Sequence, residues 1–318
     1  HSFSPGGDNG RLSILIFHRV LQQPDPALNF DIHASAFSQT LKWLGDLFNV
    51  LPLDLAVEKL KSGTLPPRAA SITFDDGYAD NLIVAAPILK KNNMTATFFI
   101  ASGYLNGGEM WNDTIIESIR HCKLNKLDLS TEGLGLHDLS YPQSLRSTIL
   151  KVLKLVKYRS TSERVRLAKY ISKSARVSLR NDLMLSSEQV VRLRDFGMSI
   201  GGHTVSHPIL SNLSTGEVAS EISENKKFLE NLLQQRIRLF AYPNGKPNAD
   251  YRAVDAEVVR KLGFDAAVTT AWGVADSSSD LMQLPRFTPW DRNSFGFRLR
   301  MLRNLAANTS LQLEQRAS

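Results

Sequence analysis

The sequence of 318 residues contains a single cysteine, Cys122, which excludes an internal disulfide and any cysteine-based metal cluster. No apolar run reaches the roughly 18–20 residues that a membrane-spanning helix needs. Residues 1–10 are polar and glycine-rich rather than signal-like, and are expected to be a disordered or appended tail. With neither a span nor a signal, the cytoplasm and a periplasm both stay open as compartments. No internal repeat of about 20–50 residues is present, which argues against a solenoid.

Positive charge spread over the fold is also missing, although the formal net charge is +7. Residues 151–180 hold ten basic residues and one acid, Glu163, a local charge of +9, and the other 28 basic and 30 acidic residues sum to −2. A nucleic-acid-binding surface is therefore not expected. Within the basic segment Ile149, Val152, Leu153 and Val156 form an apolar stripe and Lys151, Lys154 and Lys157 lie off it, the pattern of a basic amphipathic helix. It reads first as a solvated face, and second as a peripheral contact with an anionic membrane or glycan through residues 151–180.

What is present is an alternation of short apolar strands and helical patterns, with 42% hydrophobic residues to form a substantial core. Arg11–Phe17 reads as a first strand ending at His18. Strand patterns follow at 48–51, 70–74, 96–101, 199–202, 237–242 and 265–268, with a last strand near Leu284–Phe287. Helical patterns separate them, and from about 111 to 180 the alternation gives way to a helical insertion. About seven β–α units make a parallel α/β barrel a better account than an open sheet.

Two stretches carry the chemistry. Ser71-Ile-Thr-Phe-Asp-Asp-Gly77 ends an apolar strand in two carboxylates, and in α/β folds function collects at such carboxyl ends. Side chains alternate along a strand, so Asp75 and Asp76 share a site only if the strand breaks there, as Gly77 indicates. Ser199-Ile-Gly-Gly-His-Thr-Val-Ser-His207 supplies two histidines after a second short strand. Alone, the aspartates fit a helix N-terminus and the histidines an ordinary loop. Together, two imidazoles and a carboxylate make a metal site with room for water. Thr204 stands where a HExxH metalloprotease needs glutamate.

TFDDG at 73–77 with HTVSH at 203–207 resembles the polysaccharide deacetylase family, also called carbohydrate esterase family 4 or NodB-homology proteins, over about residues 11–290. The resemblance implies a distorted (β/α)7 barrel over 11–318 carrying the insertion, Asp75 as general base, and Asp76, His203 and His207 as ligands of a divalent metal, zinc foremost with cobalt, nickel or manganese as alternatives. Phe240-Ala-Tyr-Pro-Asn-Gly245 resembles the motif whose tyrosine N–H helps form the oxyanion hole, which points to Tyr242. Many members carry an arginine there to pair with the base; this sequence does not, and Arg286 in Leu284-Pro-Arg-Phe287 is the candidate substitute. The family's late general-acid histidine is absent as well, since no histidine follows His207. His18, at the end of the first strand, is the chosen replacement. Trp111 with Asp113, and Trp290 with Asp291, are candidates to line a sugar groove.

The implied activity is metal-dependent removal of N-acetyl groups from sugars of a polysaccharide or glycolipid. An O-acetyl esterase and a carbohydrate-binding or inactive scaffold on a degenerate barrel are the alternatives, the second weakened by the complete Asp75, Asp76, His203, His207 set. Glycoside hydrolysis fails because its two carboxyls flank a bond at roughly 5–9.5 Å rather than adjoining in sequence.

Overall fold

The computed structural model describes residues 4–28, 31–289, 291 and 293–306. Leu12–Phe17 and Ala69–Phe74, both buried along their length, pair in parallel with Leu12 opposite Ala69 and Phe17 opposite Phe74. Thr97–Ile100, Ser199–Gly202, Leu239–Ala241 and Ala266–Val268 follow in order, all parallel, while Asn49–Val50 pairs only with the start of Ala69–Phe74. Runs rich in Ile, Leu, Phe and Ala suit strands buried on both faces.

The sheet curls until its edges meet through residues 284–287. Leu284 bridges to Val268 and Phe287 to Leu15, both in parallel sense. Phe287 N–H donates to Ile14 O at 2.9 Å and Thr269 N–H to Leu284 O at 2.9 Å. Six strands and this short closing stave give the seven-unit barrel that the sequence pattern predicts.

Alternation sets the two faces. On the outer side Phe17, Phe74 and Phe98 stack with ring centroids 5.4 and 4.8 Å apart, and Phe37 of the Ala34–Leu47 helix meets the row edge-on. A second apolar cluster contains Leu12, Ile14, Phe99, Leu239, Val268 and Leu284, residues of the opposite parity. The helices Thr161–Ala175, Ser187–Asp195 and Thr215–Leu233 begin with reciprocal capping boxes at Ser160/Glu163, Ser186/Gln189 and Ser214/Glu217. Among the described residues no helix is long and apolar enough to cross a membrane.

Two expectations need correction, and one helix departs from plain α geometry. The insertion is not wholly helical: besides Trp111–His121, Pro142–Val156 and Thr161–Ala175 it contains an antiparallel hairpin, Lys126–Leu129 with Gly135–Asp138. Leu127 and Leu129 of that hairpin alternate inward and join Ile115, Ile149, Val152 and Ile171 in a core of the insertion's own. The helix after the aspartates opens as a π-helix, Asn81–Ala85, before Ala86–Lys91, with Pro87 at the junction unable to donate a helical N–H. Finally, residues 4–10 are packed rather than loose: Ser4 is buried and accepts from Arg68 N–H at 3.0 Å, and Gly7 N–H donates to Leu65 O at 2.8 Å.

Gly201 has a packing reason. A Cβ there would sit 2.4 Å from Phe99 Cδ1 and 3.0 Å from Leu239 O, atoms of a fully buried ring and of a strand backbone. Gly201→Ala is expected to cost about 1–3 kcal/mol in urea unfolding. An unchanged midpoint would show that the Phe99 ring yields without cost.

Candidate active site

The loops that leave the carboxyl ends of the staves converge on a cavity of about 280 Å³. Asp75 still belongs to the ladder, its N–H donating to Phe17 O at 3.0 Å, so its side chain shares the inward parity of Thr73. Asp76 then takes φ +78° and Gly77 φ +92°, both left-handed. The break cancels the alternation and lets both carboxylates open into one cavity. Asp76, Thr204 and His207 all hold positive φ without being glycine, a local cost that surrounding contacts must offset.

Arg286 reaches Asp75 across the barrel interior. Nη1 donates to Asp75 Oδ1 and Nη2 to Asp75 Oδ2, each at 2.7 Å, while Nη1 also meets Thr73 Oγ1 at 3.1 Å and Nε meets Thr269 O at 2.8 Å. Arg286 is 1% exposed and Asp75 3%. Burial works to raise the Asp75 pKa, but the paired guanidinium outweighs it and holds the carboxyl below its ordinary value.

Asp76 faces the histidines instead. Its Oδ1 is buried without a directed hydrogen bond, yet lies 3.3 Å from both His203 Nε2 and His207 Nε2. His203 Nδ1 is engaged by Ala241 O at 2.7 Å, so Nδ1 carries the proton and the Nε2 lone pair points at the carboxylate. Acceptors turned toward one another in a buried cluster call for a cation between them. Asp76 Oδ1 at 3.3 Å from each imidazole nitrogen matches what tetrahedral bonds of ~2.0–2.1 Å require, and all three ligand atoms lie within 4.8 Å of one another, so the residues fit a divalent metal of the zinc type. Burial lowers the His207 pKa to about 4, which keeps that imidazole neutral and able to ligate.

Two residues on the Thr215–Leu233 helix hold the histidine loop, and sequence reasoning missed both. Asn225 accepts from His203 N–H at 3.1 Å and donates to Thr204 O at 2.7 Å and Ile100 O at 2.9 Å. Glu221, one turn earlier, accepts from Val205 N–H and Ser206 N–H, each at 2.9 Å. The only sequence signal is a four-residue spacing on a polar helix, which solvated faces show everywhere.

The remaining candidates fall out unevenly. His18 lies where the first strand ends, is exposed, and lines both the 280 Å³ cavity and a neighbouring one of about 470 Å³. Asp113 is buried in the cavity wall with Tyr78 Oη donating to its two oxygens at 3.0 and 3.1 Å. Burial, helped by the Asp76 charge, pushes the Asp113 carboxyl up to about 8. Trp111 sits half-buried beside Asn112 and lines an adjoining groove with His207. Trp290 lies outside the described residues.

Tyr242 is misplaced as an oxyanion donor. Its N–H goes to Val268 O at 3.2 Å, its ring stacks on Tyr251 at 3.9 Å, and its hydroxyl donates to Met282 O at 2.9 Å on the outer side of the barrel. The motif reaches the cavity through Asn244 instead, which lines it at φ +58° with Thr270 Oγ1 bonded to its carbonyl at 2.8 Å.

The family model for polysaccharide deacetylase matches residues 62–267. YxkH of Bacillus subtilis (strain 168), named as a polysaccharide deacetylase, is 23% identical over 278 residues, 87% of this chain and 70% of that protein. Among solved structures, the Streptococcus pyogenes deacetylase PplD in complex with acetate aligns with a TM-score of 0.62 at 20% identity, covering 92% of this chain and 99% of that one. IcaB from Ammonifex degensii aligns at 0.60 with 18% identity, covering 94% and 99%. Both likenesses show the barrel fold.

Removing Arg286 orphans a buried carboxylate. Arg286→Met is expected to lose about 3–5 kcal/mol at neutral pH in chemical unfolding. The lowered Asp75 pKa means that the pair stabilises above the unfolded value, ~3.9, and stops doing so as pH falls through the folded one. In the variant burial alone raises the Asp75 pKa, so the gap to the unmodified protein should narrow on acidification from pH 7 toward 5 as the orphan takes a proton. A small, pH-independent gap would show that the pair is not what holds Asp75 ionised.

Proposed function

The chain belongs to the polysaccharide deacetylase family, and from its site geometry we propose that it hydrolyses N-acetyl groups on sugars of a polysaccharide or glycolipid with the help of a divalent metal. The observation that carries the metal is Asp76 Oδ1, buried and unbonded at 3.3 Å from two imidazole nitrogens. A cation held by Asp76, His203 and His207 supplies Lewis acidity toward the acyl oxygen, zinc suiting the donor set best and cobalt, nickel or manganese also accepting it.

The protein's own groups then divide the proton work. Asp75, kept ionised by Arg286, retains free lone pairs after accepting the two guanidinium bonds and takes a proton from the water that attacks the acyl carbon. As the C–N bond breaks, the amine leaves with a proton from His18, giving acetate and a free amino sugar. His18 suits that role because it stands on the cavity wall and reaches solvent, so it can be reprotonated between turnovers. Asp113, protonated near neutrality, offers a sugar hydroxyl a partner without adding an uncompensated charge.

The decisive measurement is acetate release from N-acetylated and O-acetylated glycans, with metal restored after chelation. Asp75→Asn should keep its metal while turnover falls by on the order of 10²–10⁴. Asp76→Asn and His203→Ala should lose bound metal. His18→Ala should keep metal, fail on substrates whose amine leaves poorly, and work almost normally on one with a good leaving group. Metal loss in Asp75→Asn would reverse the two aspartate roles, and equal loss on both substrates would remove His18 from the mechanism.

A further inference from the structure

A second groove, of about 450 Å³, opens from the catalytic cavity and shares Asn112, His207 and Asn244 with it. Its far side is built by the insertion: Trp111, Lys154, Lys157 and Tyr158. Tyr158 is 70% exposed, Trp111 is half-buried, and Lys157 Nζ lies 5.5 Å from the Tyr158 ring centroid. Ion pairs of the insertion join Arg166 to Glu132 and Arg180 to Asp182, and among the described residues neither groove lysine takes part in one. Behind Trp111 the guanidinium of buried Arg164 stands 5.3 Å from the indole, bonded to Thr161 Oγ1 with its Nε unpartnered. Three cations without carboxylates thus surround two aromatic rings at the edge of the deacetylation site.

We propose that this groove binds an acidic sugar residue, one bearing a carboxylate, next to the N-acetylated residue in the catalytic cavity. Aromatic faces take the apolar face of a sugar ring, and lysine ammonium groups take its carboxylate as mobile point charges. The proposal rests on the deacetylase reading and adds the class of polymer it selects. Leu150, Lys151 and Leu155, which a flat acidic membrane would meet, are exposed on the Pro142–Val156 helix on the same face as Lys154. What favours a glycan is that Lys154 and Lys157 also line a concavity with His207, which a bilayer cannot enter but a glycan chain can.

The test compares an oligosaccharide alternating N-acetylhexosamine with hexuronic acid against a neutral N-acetylhexosamine oligomer of equal length. The unmodified protein should show the lower KM on the acidic oligomer, and salt from about 0.05 to 0.5 M should erase that preference. In the Lys154→Glu/Lys157→Glu double variant the acidic-to-neutral ratio of kcat/KM should fall at least tenfold, and Lys154→Gln/Lys157→Gln should fall between. An unmoved ratio overturns the proposal, as does binding to acidic vesicles that the double variant loses while the ratio stays. If the unmodified protein releases no acetate from either oligomer, the deacetylase reading fails by itself. Calorimetric binding of the acidic oligomer still decides the groove in that case: charge-dependent binding lost in the double variant upholds it, and equal binding of both oligomers removes it.

Discussion

The fork of Arg286 on Asp75 is the interaction on which both the barrel and its chemistry depend. The closing stave joins both edges of the sheet by backbone bonds, and one arginine inside it binds the carboxylate after one strand, a hydroxyl within that strand and the carbonyl of Thr269. A guanidinium with all these acceptors is satisfied in a way that a lysine could not be, because the planar fork fits both carboxylate oxygens at once. Buried ion pairs commonly add little stability, and this one is better understood as fixing the protonation state of Asp75. The consequence is chemical: Asp75 can accept a proton but is poorly placed to give one to the departing amine. The proposed mechanism therefore gives that proton to a separate group, His18, although it lies far from the other motifs in sequence.

Strain on the opposite wall has a similar logic. Three non-glycine residues around the candidate metal site hold left-handed backbone, Asp76 and Thr204 tied down by neighbouring segments and His207 by Thr204 of its own loop. Asp76 O accepts from Ala101 N–H at 3.2 Å, Thr204 O from Asn225 and from Ser102 N–H, and His207 N–H donates to Thr204 Oγ1 at 3.1 Å. The candidate ligands are thus positioned by the protein itself, with the cost of their conformation spread over neighbouring strands and the Thr215–Leu233 helix.

Much of this was legible in the sequence because the barrel collects residues from strand ends, and strand ends can be found by pattern. Asp75, Asp76, His203 and His207 each follow an apolar run that stops at glycine or a turn, so locating the strands located the site. Arg286 was legible by position, though only the closed barrel shows that it spans the interior. That the Tyr242 N–H is spent on Val268 O was not legible, because that bond depends on the register of the neighbouring strand. Phe240 and Tyr242 lie two apart on one strand, so both rings take the same outer face, where they meet edge-on with centroids 5.2 Å apart. Asn225 and Glu221 were illegible because their role depends on which loop a polar helix face happens to meet. The Lys126–Leu129 hairpin was illegible because four alternating residues weigh little beside two long basic helices.

The boundary between barrel and insertion is a convenience of description that the site does not respect. Trp111–His121 is the insertion's first helix, yet Asn112 and Asp113 wall the catalytic cavity and Asp113 receives the hydroxyl of Tyr78 from the aspartate turn. Arg19, just after the first strand, lies over the Tyr78 ring at 5.0 Å and pairs with Asp80 at 2.9 Å. Three distant segments therefore share one buried cluster, and trimming the insertion would open the cavity instead of merely shortening the chain. The electrostatics of that cluster are selective. Asp75 is balanced by Arg286, and Asp31, a further carboxylate of the cavity wall, is raised by burial only to about 6 against the pull of Arg19 and His18. Burial and the Asp76 charge keep Asp113 protonated near neutral pH, which lets the insertion contribute hydrogen bonding to the wall without a further negative charge.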